Sequence, residues 1–149
     1  MIDDCQIRII SELTEAVKSL LLIADPDWEQ IDKYISSSKI FGLFHADDCI
    51  GLLALEQDEI KNLIITPAFR KKGLASLLLT HVIQYVKNRQ GNTITVKTGN
   101  TSLPAIRLYE KAGFTLYKID AGYFIRNYPA PIYEYGKRCK DQLIFKLAL

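Results

Sequence analysis

Apolar residues recur along this chain with two different periods, and the switches between them outline its elements. Gln6 to Ile10 alternates and predicts a short first strand. Thr14 to Ile23 carries Val17, Leu20 and Leu21 on one stripe, the spacing of a helix. Asp25-Pro26-Asp27 interrupts it, and Trp28 to Ile35 predicts a second, short helix. Three strand-like runs follow: Ile40 to His45, Ile50 to Glu56 and Glu59 to Thr66. Asp47-Asp48 and Gln57-Asp58 separate them, so an antiparallel meander is expected. From Leu74 to Asn88 the period lengthens again. Ala75, Leu78, Leu79, Val82 and Val86 face one way; Ser76, Thr80, Gln84 and Lys87 face the other. Gly91-Asn92 is the expected stop, and Thr93 to Thr98 alternates as a strand. A strand, a helix and another strand imply a right-handed parallel crossover. Ser102 and Pro104 open a further helix and Gly113 closes it. Phe114 to Ile119 and Leu143 to Leu147 read as a closing strand pair. The Tyr- and Pro-rich stretch between them, Asp120 to Asp141, shows no period and is expected to form an ordered wall or loop.

Composition narrows the class. The 149 residues fit one domain, 1–149, with no repeat, low-complexity tract or interdomain linker. Hydrophobic content of 48% is ordinary for a globular chain. A net charge of +2 gives no bulk reason to bind nucleic acid or an anionic membrane. The start, Met1-Ile2-Asp3-Asp4-Cys5, lacks the features of a signal peptide, and no apolar run is long enough to span a bilayer. Cys5, Cys49 and Cys139 are odd in number and scattered, which points to a reducing, cytoplasmic setting. His45 and His81 lie far apart, and no His/Cys/Asp set has zinc-like spacing, so no metal is expected. Cys139, between Arg138 and Lys140, is expected to be a non-functional thiol among solvated charges.

One junction carries chemistry. Arg70-Lys71-Lys72-Gly73-Leu74-Ala75 joins the strand-like run ending at Thr66 to the helix starting at Leu74. Backbone N–H groups at a helix start have no partner within the helix, and the helix dipole adds positive potential there. Three cations and a glycine beside them make an anion site suited to a pyrophosphate. The loop is neither GxxxxGK[ST] nor GxGxxG. Its form is Arg-x-x-Gly-x-Ala, and a second signature lies downstream: Asn100, Ala105, Tyr109, Lys111 and Gly113-Phe114.

Together these two signatures resemble the GNAT N-acetyltransferase superfamily, closely over Glu59 to Tyr117 and loosely on the flanks. The resemblance implies an α/β fold, a mixed twisted sheet of six to seven strands flanked by about four helices. It implies acetyl-CoA as co-substrate, its pyrophosphate cradled by the N–H groups of Lys71, Lys72, Gly73, Leu74 and Ala75. Arg70 would add a directional contact. The strand ending at Ile65 would splay from the next parallel strand. Pantetheine would then pair with backbone groups of Leu63, Ile64 and Ile65, and with the amide of Asn100. A backbone N–H near Ile64 or Ile65 would hold the oxyanion.

The expected reaction is direct attack by a primary amine in a ternary complex. A lysine-like amine with pKa near 10.4 is neutral in only about one molecule in ~2,500 at pH 7. A positioned base therefore helps, and Glu59, eleven positions before Arg70, matches the base of the superfamily's protein-lysine enzymes; the plainer alternative for it is a strand-edge carboxylate following Asp58 in a polar turn. Other members relay the proton through water. Tyr109 matches the family tyrosine that protonates the leaving thiolate; the alternative for it is a core aromatic on the Ala105-Leu108-Tyr109-Ala112 stripe.

The acceptor is less legible. Asp25, Asp27, Glu29 and Asp32 cluster where this fold often roofs the acceptor, which favours a cationic small amine. Capping of a helix start is the plainer reading of the same acids. Trp28 reads as a core anchor, with a pocket wall as the alternative, and Tyr123 to Asp141 is expected to form an opposite wall. Protein N-terminal or lysine acetylation, and a non-catalytic acyl-CoA sensor, are the alternative functions. Homodimers are common in the superfamily, and Leu143 to Leu147 is the strand expected to add to such an interface.

Overall fold

A computed structural model describes residues 4–149. They fall into two compact units, 4–91 and 92–149.

The first unit is an antiparallel meander flanked by helices. Its strands are β1 (Cys5–Ile10), β2 (Lys39–His45), β3 (Asp48–Glu56) and β4 (Glu59–Ile65), paired in that order. Helix α1 (Glu15–Ala24) starts where Thr14 accepts the Val17 N–H at 3.3 Å. It buries the expected stripe of Val17, Leu20 and Leu21. Helix α2 covers only Trp28–Asp32, and a 3₁₀ turn at Ile35–Ser37 replaces its expected last turn. Helix α3 (Leu74–Asn88) buries Leu74, Leu78, Leu79, Val82 and Val86; Leu74 takes the inward place expected of Ala75.

Two turns differ from expectation by one residue. The β2–β3 loop is Ala46-Asp47, because Asp48 already pairs with His45. Ala46 adopts φ 54, the left-handed conformation that a two-residue hairpin loop demands. At the end of α3 the left-handed residue is Gln90 (φ 66), not Gly91. Gly91 is needed for closeness instead, since a Cβ there would lie 2.4 Å from a Val86 methyl.

A bulge decides what β4 shows to each face. Asn62 pairs with Ala54 and Ile60 with Leu55, which leaves Lys61 as an extra residue. Ile60 and Asn62 are two apart, yet the shift sends them to opposite faces. Ile60 joins Leu53 and Leu55 on the α3 side, where Phe41 meets the rings of His81 and Tyr85 at 5.8 and 5.1 Å. Asn62 turns to the α1 side with Leu52, Ala54 and Ile64. Glu59, opposite Glu56, shares that side.

Asn62 is buried and organises this face. Its Nδ2 donates to Leu21 O at 3.2 Å and to the Tyr34 hydroxyl at 3.1 Å. Tyr34 donates onward to Asp25 Oδ2 at 3.3 Å. Burial pushes the Tyr34 hydroxyl well above its ordinary pKa; the hydrogen bond from Asn62 lowers it in part, and the Asp25 carboxylate raises it further. Asn62 Oδ1 has no hydrogen-bond partner among the described residues. Asn62→Ala is expected to cost about 2–3 kcal/mol in urea unfolding, because two buried bonds are lost and a cavity remains.

The second unit pairs β5 (Thr93–Gly99), β9 (Gln142–Ala148) and β6 (Thr115–Asp120), antiparallel, with β9 in the middle. The closing pair expected from sequence is therefore present. Both edges of β9 are occupied, so Leu143 to Leu147 cannot extend the sheet edge-on into a second copy. Helix α4 (Leu103–Lys111) ends before Gly113 at φ 101. The Tyr-rich stretch forms a short helix, α5 (Tyr123–Asn127), and a two-stranded ribbon, β7 (Ile132–Glu134) with β8 (Lys137–Cys139). Cys139 is buried rather than set among solvated charges: a Cβ on Gly99 would lie 2.4 Å from its sulfur, while Arg138 and Lys140 are exposed. Four strands in one unit and three in the other agree with the expected six to seven, with the ribbon in addition. The described residues hold five α-helices where about four were expected.

Candidate active site

The basic turn has the geometry of an anion cradle. After β4 come a 3₁₀ turn (Pro67–Phe69), Arg70, and then Lys71 and Gly73 with left-handed φ values of 61 and 78. The N–H groups of Lys71 through Ser76 have no acceptor among the described residues. They sit at the N-terminal end of the 15-residue helix α3, where the dipole is positive. Nothing lies within 4 Å of the position a Gly73 Cβ would occupy, so a ligand can approach the backbone there. Arg70 is partly committed. Its Nε donates to Ile65 O at 3.0 Å and ties the turn to the last residue of β4, which leaves its Nη groups for a ligand. The same bond occupies one lone pair of the Ile65 carbonyl. Ile64 and Ile65 are buried and Leu63 is half-buried; all three pair with β3, opposite Leu52, Gly51 and Leu53 respectively.

Glu59 lies at the other end of β4, about 20 Å along the strand from Ile65 at ~3.3 Å per residue. Its carboxylate meets the bulge residue Lys61 at 2.9 Å, and Lys61 also reaches Glu56 at 3.7 Å. One ammonium thus relieves the repulsion of two carboxylates facing each other across the hairpin. Two of the four clustered acids have structural duties. Asp27 caps α2 by accepting the Glu29 N–H at 3.0 Å, and Asp25 accepts from Tyr34. Glu29 and Asp32 remain exposed. Trp28 packs partly buried against the α1-side core, as expected.

In the second unit, Asn100 follows β5 directly. Its Oδ1 accepts the N–H groups of Lys140 and Asp141, both at 3.1 Å, so only the Nδ2 hydrogens remain to meet a ligand. Tyr109 is buried on α4 between Phe114 and Phe145, with ring centroids 5.6 and 6.5 Å away. Burial pushes its hydroxyl far above the ordinary tyrosine pKa, and that hydroxyl has no hydrogen-bond partner among the described residues. The ring packs in the core and the hydroxyl stays protonated, while the raised pKa makes it a weaker proton donor than an ordinary tyrosine.

Glu134 lies in the stretch expected to form a wall, but sequence reasoning missed its partners. Its Oε1 accepts from Thr101 Oγ1 at 3.1 Å and from Ser102 Oγ at 2.7 Å. Ser102 stands at the start of α4, as expected, but makes no side-chain capping bond, because the hydroxyl is turned to Glu134. The only local signal was a serine at a helix start; its partner lies 32 residues away.

Residues 11–114 match the family model described as the acetyltransferase (GNAT) family. The chain belongs to the GNAT acetyltransferase family. It is similar over its length to YvbK, an uncharacterized N-acetyltransferase of Bacillus subtilis (strain 168), at 30% identity, covering 97% of this chain and 96% of that one. A GNAT family acetyltransferase from Elizabethkingia anophelis, solved with acetyl-CoA bound, superimposes with a TM-score of 0.92 at 34% identity over 99% of both chains. A Bacillus subtilis acetyltransferase in complex with CoA gives 0.91 at 30% identity, covering 97% of this chain and 99% of that one. The fold is accordingly the GNAT α/β fold, and this GNAT chain is an acyltransferase. No described helix is long and apolar enough to cross a membrane.

Proposed function

We propose that this enzyme transfers the acetyl group of acetyl-CoA to a primary amine by direct attack in a ternary complex. The observation that carries the reading is the row of unpartnered N–H groups from Lys71 to Ser76 at a tri-cationic turn. Relatives at 34% and 30% identity hold acetyl-CoA and CoA, which supports the same co-substrate here. Acetyl-CoA is the co-substrate; Lys71, Lys72, Gly73, Leu74 and Ala75 take the pyrophosphate, with Arg70 Nη beside them. Leu63, Ile64 and Ile65 offer backbone groups to the pantetheine and the oxyanion, and Asn100 Nδ2 donates to the pantetheine. The test is thiol release from acetyl-CoA with a panel of amines. Turnover with at least one amine is expected, and cofactor binding without any turnover would favour a sensor.

Glu59 is the proposed base and Tyr109 the proposed acid. The departing CoA thiolate has a pKa near 8.5, so it needs less help than the amine. Tyr109→Phe is therefore expected to lower kcat about 10-fold, less than the ~100-fold at which general acid catalysis typically begins. Its thermal stability should hold, since the hydroxyl has no bond to lose. A rate within twofold of wild type would return Tyr109 to a packing role alone.

The proposed acceptor is a cationic small amine, supported by the exposed Glu29 and Asp32 on α2. A protein N-terminus or lysine is separated from it by the same amine panel with peptides added. We take 1–149 as one catalytic domain, since relatives align over 96% and 99% of their own lengths. Three unbridged cysteines support a cytoplasmic setting. For assembly we propose a homodimer through β6, whose Leu116, Tyr117 and Ile119 are exposed; sedimentation tests this.

A further inference from the structure

Three consecutive residues hold the end of the ribbon and the chain beyond it. Asn100 Oδ1 accepts from Lys140 and Asp141, and Asn100 N donates to Asp141 O at 2.9 Å. Thr101 and Ser102 both donate their hydroxyls to Glu134 Oε1. Thr101 is only 7% exposed, so its bond is shielded from water. Ser102 is the residue before the nine-residue helix α4, and the Glu134 carboxylate lies at that helix's positive end. Asn100 therefore has its backbone and side-chain carbonyl fixed from one side, while Glu134 fixes the two residues that follow.

The amide of Asn100 is the group that meets the cofactor under the proposed function, and its aim depends on this turn. A planar amide whose oxygen is pinned by two N–H groups can rotate only if the turn rotates with it. The turn in turn is held by two hydroxyls that rotate easily unless something accepts from them. Glu134 is that acceptor for both. We propose that Glu134 is a positioning residue for acetyl-CoA binding, acting through Thr101 and Ser102 on the Asn100 amide and the start of α4. It touches no reacting atom. What it supplies is an oxygen in a fixed place, and an amide oxygen would serve as well. This inference rests on the cofactor role given to Asn100 above.

Titration calorimetry with acetyl-CoA tests it on the full chain. Glu134→Ala is expected to raise the Kd about 10-fold, because two hydrogen bonds that order the turn are lost. Glu134→Gln keeps the accepting oxygen and should stay within about threefold of wild type. Ser102→Ala and Thr101→Val each remove one bond and should raise the Kd about threefold, and they carry the test if Glu134→Ala does not fold. Three results would overturn the proposal: Glu134→Ala binding like wild type, Glu134→Gln binding as poorly as Glu134→Ala, or both single-hydroxyl variants binding like wild type. The second would mean that the charge itself acts on a ligand. A wild-type protein that does not bind acetyl-CoA would instead remove the proposed function, which keeps the two failures apart.

Discussion

Glu59→Gln is expected to lower kcat/KM at pH 7 by about 100-fold, the modest end of the range for a positioned general base. The ceiling is set by the acceptor. Moving a lysine-like amine fully to its neutral form at pH 7 is worth at most about 4.6 kcal/mol. The defect should shrink as pH rises. The variant must wait for solvent to deprotonate the amine, so its rate should climb about tenfold per pH unit below ~10.4, while the wild-type rate climbs less. Initial rates from pH 7 to 9.5 check both the size and the slope. The Lys61 ammonium 2.9 Å from Glu59, and the roughly 20 Å of strand between Glu59 and Ile65, favour one competing reading, in which the carboxylate is occupied by the hairpin and the proton leaves through water. A loss under threefold with an unchanged pH profile would decide for that relay.

Gly73→Val is expected to raise the acetyl-CoA Kd by at least about 100-fold, through two effects in one place. The backbone at Gly73 has φ 78, which costs a residue with a Cβ roughly 1–2 kcal/mol and a β-branched one more. If the turn relaxes to escape that cost, the N–H groups from Lys71 to Ser76 no longer converge. If it holds, the isopropyl group occupies the open space through which a pyrophosphate would reach the backbone. Calorimetry measures the binding and urea unfolding measures the strain. Gly73→Ala should show the strain with a smaller loss of binding. Retention of wild-type affinity by Gly73→Val would mean that the cradle lies elsewhere.

What the sequence made legible was whatever a short window encodes. The stripe Val17-Leu20-Leu21 gave α1, and Gly113 gave the end of α4, because helix periodicity and left-handed glycine are local properties. The anion turn was legible for the same reason: its donors, charges and glycine are contiguous. Ala46 and Gln90 were misplaced because the hydrogen-bonding register, not residue preference, put them at positive φ. The bulge at Lys61 has no residue signature at all, yet it decides that Glu59 and Asn62 share a face. The tie from Arg70 to Ile65 spans five positions and competes with the ligand role the sequence suggested. Glu134 and Asn100 find their partners 32 to 41 positions away, through a segment whose elements are three to five residues long and too brief to show a period.

A crystal structure with acetyl-CoA bound is the most direct measurement of the central claim. The expected result is a pyrophosphate within hydrogen-bonding distance of the N–H groups between Lys71 and Ala75, with an Arg70 Nη alongside. A pyrophosphate bound away from that turn, with those N–H groups facing only water, would contradict it.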